Sequence, residues 1–329
     1  METIRWGVLA PGRIAHSFVR DLALVPDATL SATGSRSLER AQDFASQYGG
    51  RAHGSYEALV ADPEVDVVYV ASPHTLHEEH AMLALDAGKH VLCEKPMTLD
   101  AATTERLFAA AAERGLFLME AMWMACQPAI HTLQRLLADG EHGTARQVHA
   151  DLGFVVDTDP SDRLMDPALG AGALLDMGIY PLTFAQLVLG EPEDLQSVAH
   201  LSASGIDLDI AIVGRYPGGA TAALTSSMTS QSPRTASVAT EIGRFDLSRD
   251  FHQPERLLWT SYWSKEGESQ WIEPDQPVIG IGYGNEAAEV HRCLRAGETT
   301  SSMVPPEQTI SLMRQMDLIR GQIGLTYPG

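Results

Sequence analysis

HVLCEKPMT, residues 90–98, carries an apolar strand straight into Glu94, Lys95 and Pro96. Lysine is costly to bury, and its amine is a poor acid or base unless its surroundings lower its pKa. A lysine at the end of a core strand, followed at once by proline, is therefore either a solvated terminus or a placed chemical group. The segments on either side decide the fold in which that question is settled.

Upstream, IRWGVLA (4–10) has buried-strand character, and 12–25 is a helix with Ile14, Phe18, Leu22 and Val25 on one face. TLSATGS (29–35) is a second strand, and 38–49 a helix closed by glycine. DVVYVAS (66–72), a helix from about Leu76 to Ala87, and HVLCEK repeat the cycle, and LFLMEA follows one helix later. Such βα alternation predicts an α/β fold: a doubly wound parallel Rossmann sheet with ligands at the carboxyl ends of its strands. After about residue 122 the pattern changes. A helical stretch (127–139) precedes alternating segments such as RQVHADLGFVV and GATAALTSSMT, with GALLDMGIYPLTFAQLVLG interposed and helices near the end. A second α/β domain with a large, mostly antiparallel open sheet is expected, giving domains 1–122 and 123–329.

A chain of 329 residues is long for one core. The formal charge of −20 argues against nucleic acid and anionic membrane surfaces as partners. Cys93, Cys126 and Cys293 form neither a CxxC pair nor an even set, and the N-terminus lacks a signal-peptide pattern. No later segment is expected to be apolar for about 18 residues. A cytoplasmic protein with reduced thiols is the expectation.

GVLAPGRIA (7–15) lies where a dinucleotide-binding turn belongs, between first strand and first helix. Ala10, Pro11, Gly12, Arg13 and Ile14 form the candidate turn, although Ala10 stands where the first glycine of the fingerprint should be. Gly12 would let backbone approach the pyrophosphate, at a helix N-terminus that favours negative charge. The second strand ends in Ser35-Arg36-Ser37, with Arg40 one turn later and no carboxylate before Glu39. Cations there suit a 2′-phosphate, so NADP is expected, with NAD as the alternative. Ser72, Pro73, His74 and His77 are expected to border the cofactor at a strand's carboxyl end. Because HEEH (77–80) is not HExxH, no metal site is expected. Asp176 and Tyr180, four apart in DMGIY, fall on one helix face, where they could orient a hydroxyl and pass its proton, or simply serve packing.

The set AxGxxA, SRS, H-VLCEKP, LMEAMW and GAGALLDMGIY, running to the closing GLTYP, resembles the Gfo/Idh/MocA family of oxidoreductases. It is most similar to the branch of dimeric dihydrodiol dehydrogenases and NADP-dependent xylose dehydrogenases. The resemblance implies a catalytic Lys95 preceding a proline with a cis peptide, with Glu94 and Lys95 also beside the cofactor. It implies Tyr180 as proton donor and acceptor, Asp176 orienting the substrate, and Trp123 and Phe154 walling the pocket. It further implies a sugar, polyol or trans-dihydrodiol substrate and a homodimer or homotetramer built on the open sheet. A sugar-carbonyl (anhydroketose-type) reductase and a non-catalytic NADP-binding regulator are the rival readings. One departure bears on substrate choice: Met124, Ala125, Cys126 and Gln127 precede Pro128 where the branch carries an arginine.

Overall fold

Strands that are continuous apolar runs must be covered on both faces, which in practice means a parallel sheet between helices. The computed structural model, which describes residues 3–156, 163–262 and 269–327, has that sheet at the N-terminus. Its elements are β1 (Ile4–Leu9), α1 (Arg13–Leu22), β2 (Ala28–Gly34), α2 (Leu38–Tyr48), β3 (Arg51–His53), α3 (Tyr56–Val60), β4 (Val67–Val70), α4 (His77–Asp86), β5 (His90–Glu94), α5 (Ala101–Glu113) and β6 (Leu118–Ala121). All six strands are parallel, in the order β3-β2-β1-β4-β5-β6. The order reverses on either side of β1, so the switch point lies between β1 and β4, beside the glycine-containing turn. Every residue of β4 is buried, as its unbroken VVYV requires. The edge strand β3 has three residues, too few to carry a period, and the sequence reading missed it.

The second unit contains α6 (Pro128–Ala138), β7 (Ala145–Gly153), α7 (Ile179–Leu189), β8 (Asp194–Leu201), β9 (Asp207–Arg215), β10 (Thr221–Ser227), β11 (Ala236–Thr240), β12 (Gly243–Leu247), β13 (Leu257–Ser261) and β14 (Ser269–Ile272). Eight strands form one sheet in the order β14-β13-β12-β11-β7-β10-β9-β8, antiparallel except for the β7–β10 pair. The helix α7 packs on one face, against β7 and β10. Segment 167–189 contains an 18-residue window with a mean hydropathy of 1.4, contrary to the expectation that no such stretch exists. That window is 78% buried inside the fold, so it is the apolar core helix of this unit.

The division of the chain differs from a single cut at 122. The first unit comprises Met1–Cys126 and Val278–Ile310, the second Gln127–Pro277 and Ser311–Gly329. Two buried interactions explain why α8 (Tyr283–Ala296) returns to the first unit. Asp21 Oδ2 on α1 accepts the backbone N–H groups of Ile281, Gly282 and Tyr283, which have no intrahelical partner at a helix start. Trp6 Nε1 of β1 lies 3.0 Å from His291 Nε2. Partners more than 250 positions apart leave no local trace in the sequence. The last helix, α9 (Pro306–Ile323), begins among residues of the first unit and ends among those of the second.

Candidate active site

The turn after β1 keeps the shape of a dinucleotide-binding loop without its first glycine. Ala10 adopts φ +67°, the left-handed region, donates its N–H to Gly34 O at 3.1 Å, and accepts from Gly12 N at 2.7 Å. Gly12 then caps α1, which has no side-chain cap and no acidic residue in its first turn. A Cβ placed on Gly12 would meet no atom nearer than 3.9 Å. Nothing in the protein excludes a side chain there, and the exposed N–H groups at the helix start suit a diphosphate. Pro11 and Ile14 are half-buried beside it, Arg13 is exposed, and Ala15 is fully buried where α1 packs closely.

At the end of β2, Ser35 is buried and its Oγ accepts the Ser37 N–H, while Ser37 Oγ caps α2 through the Arg40 N–H. Both serine hydroxyls therefore shape the loop. Arg36 and Arg40 are exposed with no carboxylate partner among the described residues, and Arg36 acts on the Tyr56 phenol. Two unneutralised cations at this strand end suit a phosphate on the adenosine ribose.

At the end of β4, Ser72 is buried and its Oγ has no hydrogen-bond partner among the described residues. A buried hydroxyl without a partner is costly unless a ligand supplies one. His74 is buried beyond the half-buried Pro73, its ring 5.6 Å from that of His77. His77 is fully buried, with Nδ1 2.8 Å from Pro96 O and Nε2 2.9 Å from Ser72 O. It thus ties the ends of β4 and β5 together. Burial holds its pKa down at about 4, against the two carbonyls that favour the proton, so the neutral ring donates to only one of them at a time.

Lys95 leaves the end of β5 half-buried, and the Lys95–Pro96 peptide is cis. The backbone around it is satisfied by buried acids. Glu94 Oε2 accepts the Lys95 N–H at 3.2 Å, and Glu94 Oε1 accepts the Tyr69 hydroxyl. Glu120, on β6, accepts the Met97 N–H at 2.8 Å and the Thr309 hydroxyl at 3.2 Å. Burial raises the Glu120 pKa to about 7, opposed by those two donors and by Lys95. Glu286 on α8 is fully buried, and burial, then Glu94 and Asp21, push it well above the usual carboxylate range. Trp123 stacks on Tyr283 with centroids 4.5 Å apart.

In the second unit, Asp176 lies in a wide π-helical turn, Leu174–Gly178, that leads directly into α7, rather than in the regular helix its spacing implied. Its carboxylate meets Arg163 at 3.1 Å. Tyr180, on the first turn of α7, is 7% exposed, with its ring 5.2 Å from that of His252. Phe154, just past β7, is half-buried and donates its N–H to Ser227 O.

A doubly wound sheet with an amide-rich first turn, unneutralised arginines after its second strand and a lysine at the end of its fifth defines a dinucleotide-dependent oxidoreductase. The chain belongs to the Gfo/Idh/MocA oxidoreductases. The model of the oxidoreductase family with an NAD-binding Rossmann fold matches residues 4–122, and that of the family's C-terminal domain matches 130–246. The trans-1,2-dihydrobenzene-1,2-diol dehydrogenase of Mus musculus is 34% identical, covering 99% of this chain and 98% of its own. The NADP-dependent D-xylose 1-dehydrogenase of Hypocrea jecorina is also 34% identical, covering 99% and 93%. Among solved structures, a 3-ketoreductase from Actinomadura kijaniata, in complex with NADP and TDP-benzene, superimposes with a TM-score of 0.87 at 29% identity, covering 98% of each chain.

Glu120 and Tyr69 escaped the sequence reading, although each leaves a trace: a charged or hydroxylated residue inside an otherwise apolar strand. Glu120 gives a pH test. Its folded pKa lies above its unfolded value, so the stability tied to its proton is complete below pH 4.5 and is lost as pH rises to about 7. Relative to wild type, Glu120→Gln is expected to gain up to about 3 kcal/mol across that interval and nothing further above it. Urea unfolding at a series of pH values checks this; a constant difference would show that Glu120 is charged throughout.

Proposed function

We propose that this protein is an NADP(H)-dependent oxidoreductase that moves a hydride between nicotinamide and the secondary alcohol or carbonyl of a sugar, polyol or trans-dihydrodiol. The observation that carries the reading is Lys95, held by buried groups at the end of β5, next to a strand end whose Ser72 hydroxyl awaits a partner. The bound cofactor supplies the redox chemistry, as donor or acceptor of hydride at C4 of its nicotinamide. Gly12 and its neighbouring amides would hold the diphosphate, Arg36 and Arg40 the ribose phosphate, and Ser72, Pro73, His74 and Glu94 the region toward the nicotinamide. Lys95 and Tyr180 handle the alcohol proton, and Asp176 orients the substrate, with Trp123 and Phe154 forming apolar walls.

Reduction of a sugar carbonyl uses the same groups in reverse, and the likeness to a 3-ketoreductase solved with NADP supports including that direction. Where the resemblance implies an arginine before Pro128, this chain has Met124, Ala125, Cys126 and Gln127, all buried, so that cation is missing and an uncharged substrate is favoured. A homodimer, or a pair of dimers, formed through the open face of the eight-stranded sheet is part of this reading. Val198 and Val213, on the neighbouring strands β8 and β9, are exposed there by 71% and 53%, and Trp271, under Arg256 on the opposite edge strand β14, by 48%; these are apolar groups a second copy would cover. The negative charge and the burial of the longest apolar segment fit a cytoplasmic protein without a membrane partner.

Lys95→Ala is expected to leave NADP affinity largely intact and to lower turnover by about 10² or more, and Tyr180→Phe to lower turnover with the fold unchanged. Absorbance of reduced cofactor, across a panel of sugars, inositols and dihydrodiols, reads both. Wild-type turnover of none of them, with tight NADP binding, would favour a non-catalytic regulator. Arg36→Asp is expected to weaken NADP binding more than NAD binding, because it sets a like charge against the 2′-phosphate; wild type preferring NAD in a binding titration would overturn the phosphate assignment. Light scattering is expected to give at least twice the 35.6 kDa chain mass, and Val213→Glu to reduce it to one; a monomeric wild type would refute the shared sheet.

A further inference from the structure

Asp207, at the first position of β9, is fully buried, yet it serves neither the strand ladder's core nor a surface. Its Oδ2 accepts the Leu174 N–H at 2.6 Å, at the first residue of the wide turn that carries Asp176 and feeds Tyr180 into α7. Its Oδ1 occupies the space beside Gly172, where an added Cβ would lie 2.0 Å away. Gly172 also has φ +129°, a conformation that L side chains rarely adopt. The two residues are thus fitted to one another, and together they fix where the wide turn begins. A π-turn has poorer hydrogen-bond geometry than an α-turn and persists where its surroundings hold it.

We propose that Asp207 is the positioning residue for Asp176 and Tyr180, anchoring Leu174 so that both side chains leave the helix in the direction the alcohol requires. The inference rests on the functional reading given above for those two residues. Asp207 does not touch substrate in this account; it acts through the turn.

The charged surroundings make the proposal readable by pH. Burial, with a smaller push from Asp176, raises the Asp207 pKa to about 7 against the opposing N–H groups of Leu174 and of Asp207 itself. Three other groups face the cluster. Tyr327, near the C-terminus, is held above its ordinary range by burial, Asp207 and Asp176; Arg320 lies over its ring at 5.1 Å, and Arg163 pairs with Asp176. Below about pH 7 Asp207 is therefore an uncharged anchor. Above it, a second buried negative charge stands beside Asp176 and opposes the negative charge that develops on an alcohol oxygen losing its proton.

The test uses the full chain with Asp207→Asn, Asp207→Ala and Gly172→Ala, reading NADP affinity by fluorescence and kcat and KM from pH 5 to 9. Asp207→Asn keeps an acceptor for Leu174. It is expected to stay within about threefold of wild-type kcat/KM at pH 6 and to lack the fall expected of wild type above about pH 7. Asp207→Ala and Gly172→Ala are expected to lose about tenfold or more in kcat/KM with NADP affinity unchanged. If those two do not fold, the Asn profile alone decides. An Asn profile that overlays wild type, or full activity in Asp207→Ala, overturns the proposal. Asp176→Asn and Tyr180→Phe, run alongside, separate the two possible failures. If both depress activity while the Asp207 variants do not, only the positioning role is wrong; if neither does, the functional reading fails and takes this inference with it.

Discussion

The first unit depends on how the backbone between Lys95 and Met97 is satisfied where a parallel strand ends inside a core. Strand β5 is buried on both sides, so the amides that leave it have no water to turn to. Two carboxylates take that role: Glu94 for Lys95 and Glu120 for Met97, with His77 facing the Pro96 carbonyl. Placing acids there is costly, and the raised pKa of Glu120 records the cost. The return is a turn whose direction is set before any ligand arrives, which is the condition for a lysine to act on a substrate without first being ordered.

A similar economy operates at the first turn. Ala10 accepts a left-handed backbone that glycine would adopt at less cost, and the loop keeps its shape through the Gly34 carbonyl on one side and Gly12 on the other. The shape of the loop therefore rests on these two hydrogen bonds and on Gly12 rather than on the full fingerprint. In the second unit the corresponding device is a buried acid, Asp207, set against a glycine and a wide helical turn.

The βα alternation up to residue 122 was legible because each element there depends on its own periodicity, and β1, β2, β4, β5 and β6 fall within a residue or two of their expected ends. The family was legible from EKP with DxGxY, since that pair joins two distant segments. What was not legible depends on long-range contact. The return of 278–310 to the first unit rests on Asp21 and Trp6, whose partners lie more than 250 residues away. The first residue of the π-turn, Leu174, bonds Asp207, 33 residues later on β9, which spacing arguments confined to DMGIY cannot reach. His77 was expected beside the cofactor from its place after a strand; that its ring lies between two carbonyls of the chain depends on Pro96, 19 residues on, beyond the reach of its own segment.

Amide hydrogen exchange at Lys95 and Met97, measured without cofactor or substrate, tests most directly the claim that this turn is built in advance. If the buried acids hold it, both amides exchange as slowly as Val91, Leu92 and Cys93 in the body of β5, through global unfolding only. Fast exchange at Lys95 and Met97 beside a protected β5 would mean that the turn forms only with its ligand, and that the acids beneath it do not place the lysine.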